Sequence, residues 1–531
     1  MLSLGQLQEK YLNFKEVSEV ILQYGQYQNV EILQLCEYVQ KLCISNNQIE
    51  KFGIDKKFEH LQYLEVSQNK IQELDINADL AHLDISSNKL TILDSIVKYK
   101  KLQYLNVGFN DLRTLSTNLS VLSQLTKFIA NGCELTDILG LATLSSLKYL
   151  DISANKLQNL LSLKNLLNLS YLNVSHNPLK TLSQLSPLIN VIELSVYGTQ
   201  ISSLKGLENL KLLQTLNAQQ NELENVDELL ELTNLKSVFL TQNSLNNLLG
   251  LKNAKLLENL AIDRNPFHSL EGLPAHSKMQ KLMLYQNDIP NLLGVGVQPS
   301  LETLSVIACN LETLDGIQEC KMLQMVMIYT NKLKSLQHLE NAVYLTHLQV
   351  DNNLIENLNG LQKLNQLKVV NLKSNKLTSI AELSTITSIT HLNISNNQLT
   401  SLQGLENSKN LVELEVGNNK ISSLSILQNL KSIVFINIEK NQISDIKELH
   451  FLKELETLRR IWFADNEVLN LNIEGNNAIC ADPLFKEYII QQLPQIISYS
   501  FIYEYDRGGP EYYDKIISDD ERKAQQLVNL K

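Results

Sequence analysis

The sequence predicts an α/β solenoid of about twenty coils, a parallel sheet of short strands returned by 3-10 or helical arcs. Three observations predict it. Leu147 to Leu157 reads LKYLDISANKL, a pattern LxxLxLxxNxL with its polar position at Asn155. That position recurs every 22 residues, at Asn177, Thr199, Asn221, Asn243, Asn265, Asn287, Cys309, Asn331, Asn353, Asn375, Asn397, Asn419 and Asn441. Within one coil Leu169, Leu172, Val174 and Leu179 alternate inward from a strand and its turn, and Leu182, Leu185 and Leu188 return from the arc. One coil cannot bury so much apolar surface alone, whereas neighbours stacked about 4.8 Å apart make a continuous column.

Each element then has a reason. The Asn is expected to point inward, its amide satisfying backbone groups that a bend leaves unpaired. Cys133, Thr199 and Cys309 stand at that place and should weaken the ladder locally. On the return side Gly140, Gly206, Gly250, Gly272, Gly294, Gly316, Gly360 and Gly404 fall fifteen residues before the ladder position, where glycine suits a tight turn. The early coils step irregularly through Asn47, Asn69, Asn88, Asn110 and Cys133. The short step ending at Asn88 should trim the arc, since LAHLDISSNKL is intact before it.

The ends need caps, because a terminal coil would expose its core edge. Residues 1–26 are expected to form a helical cap, with Leu4, Leu7, Tyr11, Phe14, Val17 and Ile21 at helical spacing. The alternative is a degenerate first coil, since Gly25 lies 22 residues before Asn47. Residues 27–476 make the solenoid, with Asn466 as a late ladder residue, and 477–531 a C-terminal cap and tail helix. In that cap Leu484, Tyr488, Ile489 and Leu493 should present one apolar face, and the final helix should start at Ser518.

These residues resemble the leucine-rich repeat, here its 22-residue intracellular subclass of the protein phosphatase-1 regulator type. Phrases such as GLENL at 206–210 carry the likeness. Asn476 to Cys480, Phe485 to Ile490, Leu493-Pro494 and Glu521 to Ala524 resemble the cap of intracellular members, among them phosphatase regulators, a spliceosomal subunit, tubulin-folding cofactors and axonemal light chains. The resemblance implies a horseshoe whose concave sheet binds protein. It also implies two narrower readings, regulation of a phosphatase-1-like enzyme or a structural role in cytoskeleton or cilium.

Composition narrows the partners. The 531 residues carry a formal charge of −11, which disfavours a phosphate-binding surface and hence nucleic acid. No run of 18 uncharged apolar residues occurs, so no membrane span is expected. MLSLGQLQEKYLNF lacks the form of an export signal, and six cysteines show no paired framework, so a cytoplasmic, nuclear or ciliary location is expected. There is no P-loop, HExxH or CxxC, and Gly294-Val-Gly296 is not followed by the rest of a dinucleotide loop. A non-enzymatic protein without catalytic residues, cofactor or metal is the expectation.

Binding residues are sought six, four and two places before each ladder residue, where the strand faces solvent. Most are Asn, Ser, Gln and Thr. Three departures stand out. Met283 and Tyr285, then Ile307, then Met325, Met327 and Tyr329 form an apolar patch on three successive coils. A protein partner or a second copy of the chain would cover it. Tyr63, His82, Tyr104, Lys127, Tyr149 and Tyr171, ending at Glu193, form a stacked row, which cross-strand stabilisation alone also explains. Glu413, Glu415, Phe435, Glu439, Arg460 and Trp462 cluster near the C-terminal end.

Overall fold

The computed structural model describes residues 16–270, 278–463, 477–496 and 498–500, with Lys10, Leu273, Ala275 and Lys515–Ile516. Two units make up the chain, Met1–Asn265 and Pro266–Lys531.

In the first unit twelve three-residue strands pair in parallel, from Glu19–Ile21 to Asn259–Ala261. The register is the repeat itself: Tyr171 pairs with Tyr149 behind it and Glu193 ahead. In the second unit nine strands run in the same way from Lys281–Tyr285 to Arg460–Trp462. Ser498–Ser500 adds a parallel strand beyond them, and Lys515–Ile516 pairs antiparallel to it. Eleven of the returns among the described residues carry a short 3-10 segment, such as Leu161–Leu163 and Ser183–Leu185. This is the expected solenoid, built on a leucine-rich-repeat plan.

Packing follows the sequence position by position. Leu169, Leu172, Val174, Leu179, Leu182, Leu185 and Leu188 are all buried. Burying one such side chain stabilises by about 1.5–3 kcal/mol, so seven per coil supply the main cohesive term. The ladder amides also behave as expected. Asn177 Nδ2 donates to the carbonyls of Val174 in its own coil and Ile152 in the preceding one, and Oδ1 accepts from Leu157 N–H. Each amide therefore ties two coils together. Where Thr199 replaces it, the hydroxyl reaches only Val196 O and Asn221 Oδ1, and Leu179 N–H turns to Asn177 O instead. The thiols of Cys133 and Cys309 contact carbonyls through sulfur, Cys133 reaching Val107 O at 3.5 Å and Cys309 reaching Leu284 O at 3.4 Å and Ile307 O at 3.2 Å.

The residue ahead of each ladder position from Asn47 to Asn441 is left-handed, with φ from 48° to 62°, as at Lys440, Ala154, Asn352 and Gly198. On the return side Gly316 has φ 106°, and a Cβ there would sit 2.0 Å from Leu292 O, so only glycine fits. His338 holds the equivalent place one coil on with φ 83°, its Nε2 3.0 Å from Asp315 Oδ1.

Three expectations change at the ends. Glu19–Ile21 is a strand in register with Lys41–Cys43, so the helix drawn through Val17 and Ile21 gives way there to the degenerate-coil alternative. Helical spacing and a 22-residue offset compete for the same leucines, and pairing with the next coil decides. Residues 1–9 and 11–15 lie outside the described residues. The trimmed coil is as expected in its strand, His82–Asp84. Its arc is an extended segment, Leu74–Ala78, paired with Phe52–Phe58 and sealed by buried Tyr99, whose hydroxyl donates to Ile76 O.

Among the described residues the last ladder residue is Asn477, one beyond the boundary expected at 476. Its Nδ2 donates to Ile438 O and Phe463 O, and its Oδ1 accepts from Ile443 N–H. Asn466 and Asn476 are outside the described residues. The following helix, Phe485–Gln492, closes the core with Phe485, Ile489 and Leu493. Phe485 packs edge-on against Phe463 at 5.1 Å. Ile489 and Leu493 are buried as expected and Tyr488 is half-buried, while Leu484 is 58% exposed and Phe485 enters the core in its place. The tail helix expected from Ser518 lies outside the described residues.

Candidate functional site

The sheet's solvent face carries three rows of side chains, and strand alternation sets which residues enter them. Leu172 points inward while Tyr171 and Asn173 are half-buried on the outer face. This pattern repeats through the coils, so the positions six and four before each ladder residue do face out.

In the second unit all six apolar patch residues lie on adjacent strands, Lys281–Tyr285, Thr303–Ile307 and Met325–Met327, with Tyr329 just beyond. Met283 pairs with Ser305 and Ser305 with Met327, while Tyr285 pairs with Ile307. Met283 is 37% exposed and the other five are half-buried. Ser305, buried, interrupts the methionine column with a small side chain. Farther along, the Met327 row turns polar with Gln349, Asn371 and Asn393, while the Met325 row continues with His347, Val369 and His391.

In the first unit the tyrosine row forms as spaced. Tyr63 stacks on His82 at 4.0 Å and His82 on Tyr104 at 3.9 Å, nearly parallel. Lys127 Nζ lies 5.4 Å from the Tyr104 ring and 4.1 Å from Tyr149, which stacks on Tyr171 at 4.0 Å. Burial raises the Tyr63 hydroxyl and pushes Tyr104 up to about 12; it also lowers His82, against the pull of Asp84 and Glu65. The row is longer than the spacing of aromatics suggested. Lys41 lies over Tyr63 at 5.3 Å and pairs with Glu19 at 2.6 Å. The signal was present, since Glu19, Lys41 and Tyr63 are 22 residues apart, but the helix reading hid it.

Polar bridges between coils also escaped sequence reading. Asp84 accepts from Asn106, and Asp151 from Asn173. The C-terminal cluster assembles in part. Trp462 meets Phe435 edge-on at 4.8 Å, and Arg460 lies 5.1 Å from the Phe435 ring. Phe435 is buried and Trp462 half-buried, and the backbone of the next strand pairs Ser500 with Trp462. Burial raises the Glu415 carboxyl, and Glu413 sits 3.9 Å from His391. Among the described residues no group of His, Cys, Asp and Glu has metal-binding geometry, and no helix is long and apolar enough to cross a membrane.

Known proteins match this arrangement at the level of fold. A family model described as Leucine Rich repeats (2 copies) matches residues 387–432. No curated protein matches by sequence. Among solved structures, a TDR receptor is 19% identical over 88% of this chain and 87% of that one, with a TM-score of 0.57. A leucine-rich-repeat protein of Leptospira interrogans is 21% identical over 86% of this chain and 98% of its own, with a TM-score of 0.47. A plant peptide hormone receptor, RGFR1, solved in complex with RGF2, is 17% identical over 85% and 92%, with a TM-score of 0.48. By its 22-residue period and its stacked parallel strands this chain has a leucine-rich-repeat fold, and within it residues 387–432 match the leucine-rich-repeat family model.

Proposed function

We propose that the chain is a non-enzymatic scaffold that holds another protein on the solvent face of its sheet, with the main anchor in the second unit. One observation carries this. Met283, Tyr285, Ile307, Met325, Met327 and Tyr329 gather on three consecutive coils, and the row through Met327 continues with the amides Gln349, Asn371 and Asn393. An apolar cluster of flexible side chains on an otherwise polar face suits an adaptable protein contact. Met327→Asp is the test. Capture of the partner should be lost, while the melting temperature stays within about 3 °C, because the side chain faces out. Unchanged capture by a stably folded variant removes the patch.

The subclass resemblance favours a phosphatase-1-like subunit or a cytoskeletal or ciliary assembly as partner. Affinity capture with mass spectrometry separates them, and size-exclusion chromatography separates a second copy of the chain from either. The same reading places the protein in cytoplasm or nucleus. Its six cysteines stand unbonded, and burial pushes Cys36 and Cys43 up to about 11 and Cys320 up to about 12. Such thiols stay protonated and unreactive. Imaging of the tagged chain checks the location.

A further inference from the structure

The aromatic row of the first unit ends in two different ways. At one end the chain supplies its own cation. Tyr63, Lys41 and Glu19 follow one another on successive strands, the ammonium 5.3 Å from the ring centre and 2.6 Å from the carboxylate. In the middle Lys127 fills the gap between Tyr104 and Tyr149. At the other end the row stops at Tyr171. One face of that ring stacks on Tyr149. Among the described residues no ring or ammonium covers the other face. The next residue in register is Glu193, exposed and without an ion pair among the described residues. Beyond it the row continues with Thr215 and Ser237, which bring no charge.

We propose that the open face of Tyr171, with Glu193 beside it, docks a cationic side chain, Arg or Lys, presented by a protein partner. A ring face attracts a cation through its quadrupole, and a carboxylate one strand away adds direct attraction. The chain brings the same three groups together at Tyr63, where its own Lys41 stands on the strand between the ring and Glu19; at Tyr171 the carboxylate is on the adjacent strand, so the cation has to come from a partner. Charge complementarity selects the sign. From Tyr63 to Glu193 the outer rows carry Glu65, Asp84, Asp151 and Glu193 against Lys127 alone. An anionic group would meet uncompensated carboxylates there. This inference rests on reading the sheet's solvent face as the binding surface. It does not rest on the methionine patch, which lies in the other unit.

The test uses the full chain and a blocked tri-arginine peptide, with the neutral tri-citrulline peptide as control, in a titration followed by calorimetry. Binding should saturate, and citrulline should weaken it by about tenfold. Tyr171→Thr and Glu193→Gln should each weaken it about threefold, while Tyr171→Phe, which keeps the ring, should stay within about twofold. Thr already occupies the equivalent place at Thr215, so the fold tolerates it, and a thermal melt of each variant confirms that. Met327→Asp should leave peptide binding unchanged. Wild-type affinity in both Tyr171→Thr and Glu193→Gln would show diffuse attraction to a chain of charge −11 and overturn the proposal, as would the lack of saturable binding at millimolar peptide. Loss of partner capture in Met327→Asp with peptide binding intact separates the two sites. If Met327→Asp leaves capture unchanged, the patch fails and the Tyr171 site is judged on its own variants.

Discussion

A single ladder amide does three things, and that makes its removal costly. Asn177 is 1% exposed, and without its carboxamide the Leu157 N–H and the Ile152 carbonyl lose a partner inside the core. Asn177→Ala should lower stability by about 1–3 kcal/mol in chemical denaturation, the usual cost of orphaned buried groups. Asn177→Cys should cost less, because Cys133 and Cys309 occupy the same place with weak sulfur contacts. If both variants unfold at the wild-type midpoint, the amide is not structural. His82 gives a second prediction at this scale. Burial between Tyr63 and Tyr104 lowers its pKa, so the unfolded chain binds the proton more readily than the folded one. Its contribution is fully present above the unfolded value near 6.5 and is lost as pH falls through the folded value. Melting temperature should therefore drop on acidification from pH 7.5 to 5.5 by less in His82→Asn than in wild type. Parallel curves for the two proteins would refute this.

At the scale of one coil, almost everything inside the core was legible in the sequence, because each inward position repeats at a fixed offset. What escaped reading did so for physical reasons. The strand Glu19–Ile21 also fits a helical period, and only its pairing with Lys41–Cys43 decides between the two. With it went Glu19 and Lys41, the continuation of the tyrosine row. Asn477 was missed because extra residues before it break the count on which the ladder was read. The outer face was harder again. Spacing predicted that Tyr149 would meet Tyr171, but whether the far face of Tyr171 is covered depends on which side chain the next coil brings. The cap is an element with a clear duty, since Phe485, Ile489 and Leu493 cover the last coil and Gln495 donates to Leu452 O. Deleting residues 477–531 also removes Asn477, which closes the ladder on Ile438 and Ile443. The truncated chain should aggregate or associate end to end in light scattering. A monomer with wild-type melting would mean that this segment adds nothing to the core.

Across the described residues of the first unit, cohesion passes between neighbouring coils. Strands such as Tyr171–Asn173 pair with the one before and the one after in the repeat, Glu19–Ile21 pairs on one side, and the ladder amides reach back by a single coil. Stability is then close to a sum of coil terms and nearest-neighbour terms, and opening should begin where a coil has one neighbour. Hydrogen exchange followed by mass spectrometry reads this directly. Backbone amides of Glu19–Ile21, which has a partner strand on one side among the described residues, should exchange at least about tenfold faster than those of Tyr149–Asp151 and Tyr171–Asn173, which have partners on both sides. The Asn177→Ala variant sharpens the test. Its lost bonds join the coils at Ile152, Val174 and Leu157, so faster exchange should stay within the strands Tyr149–Asp151, Tyr171–Asn173 and Glu193–Ser195. Acceleration of every strand in the unit by the same factor would mean that the coils open all at once, and nearest-neighbour bookkeeping would then fail for this chain.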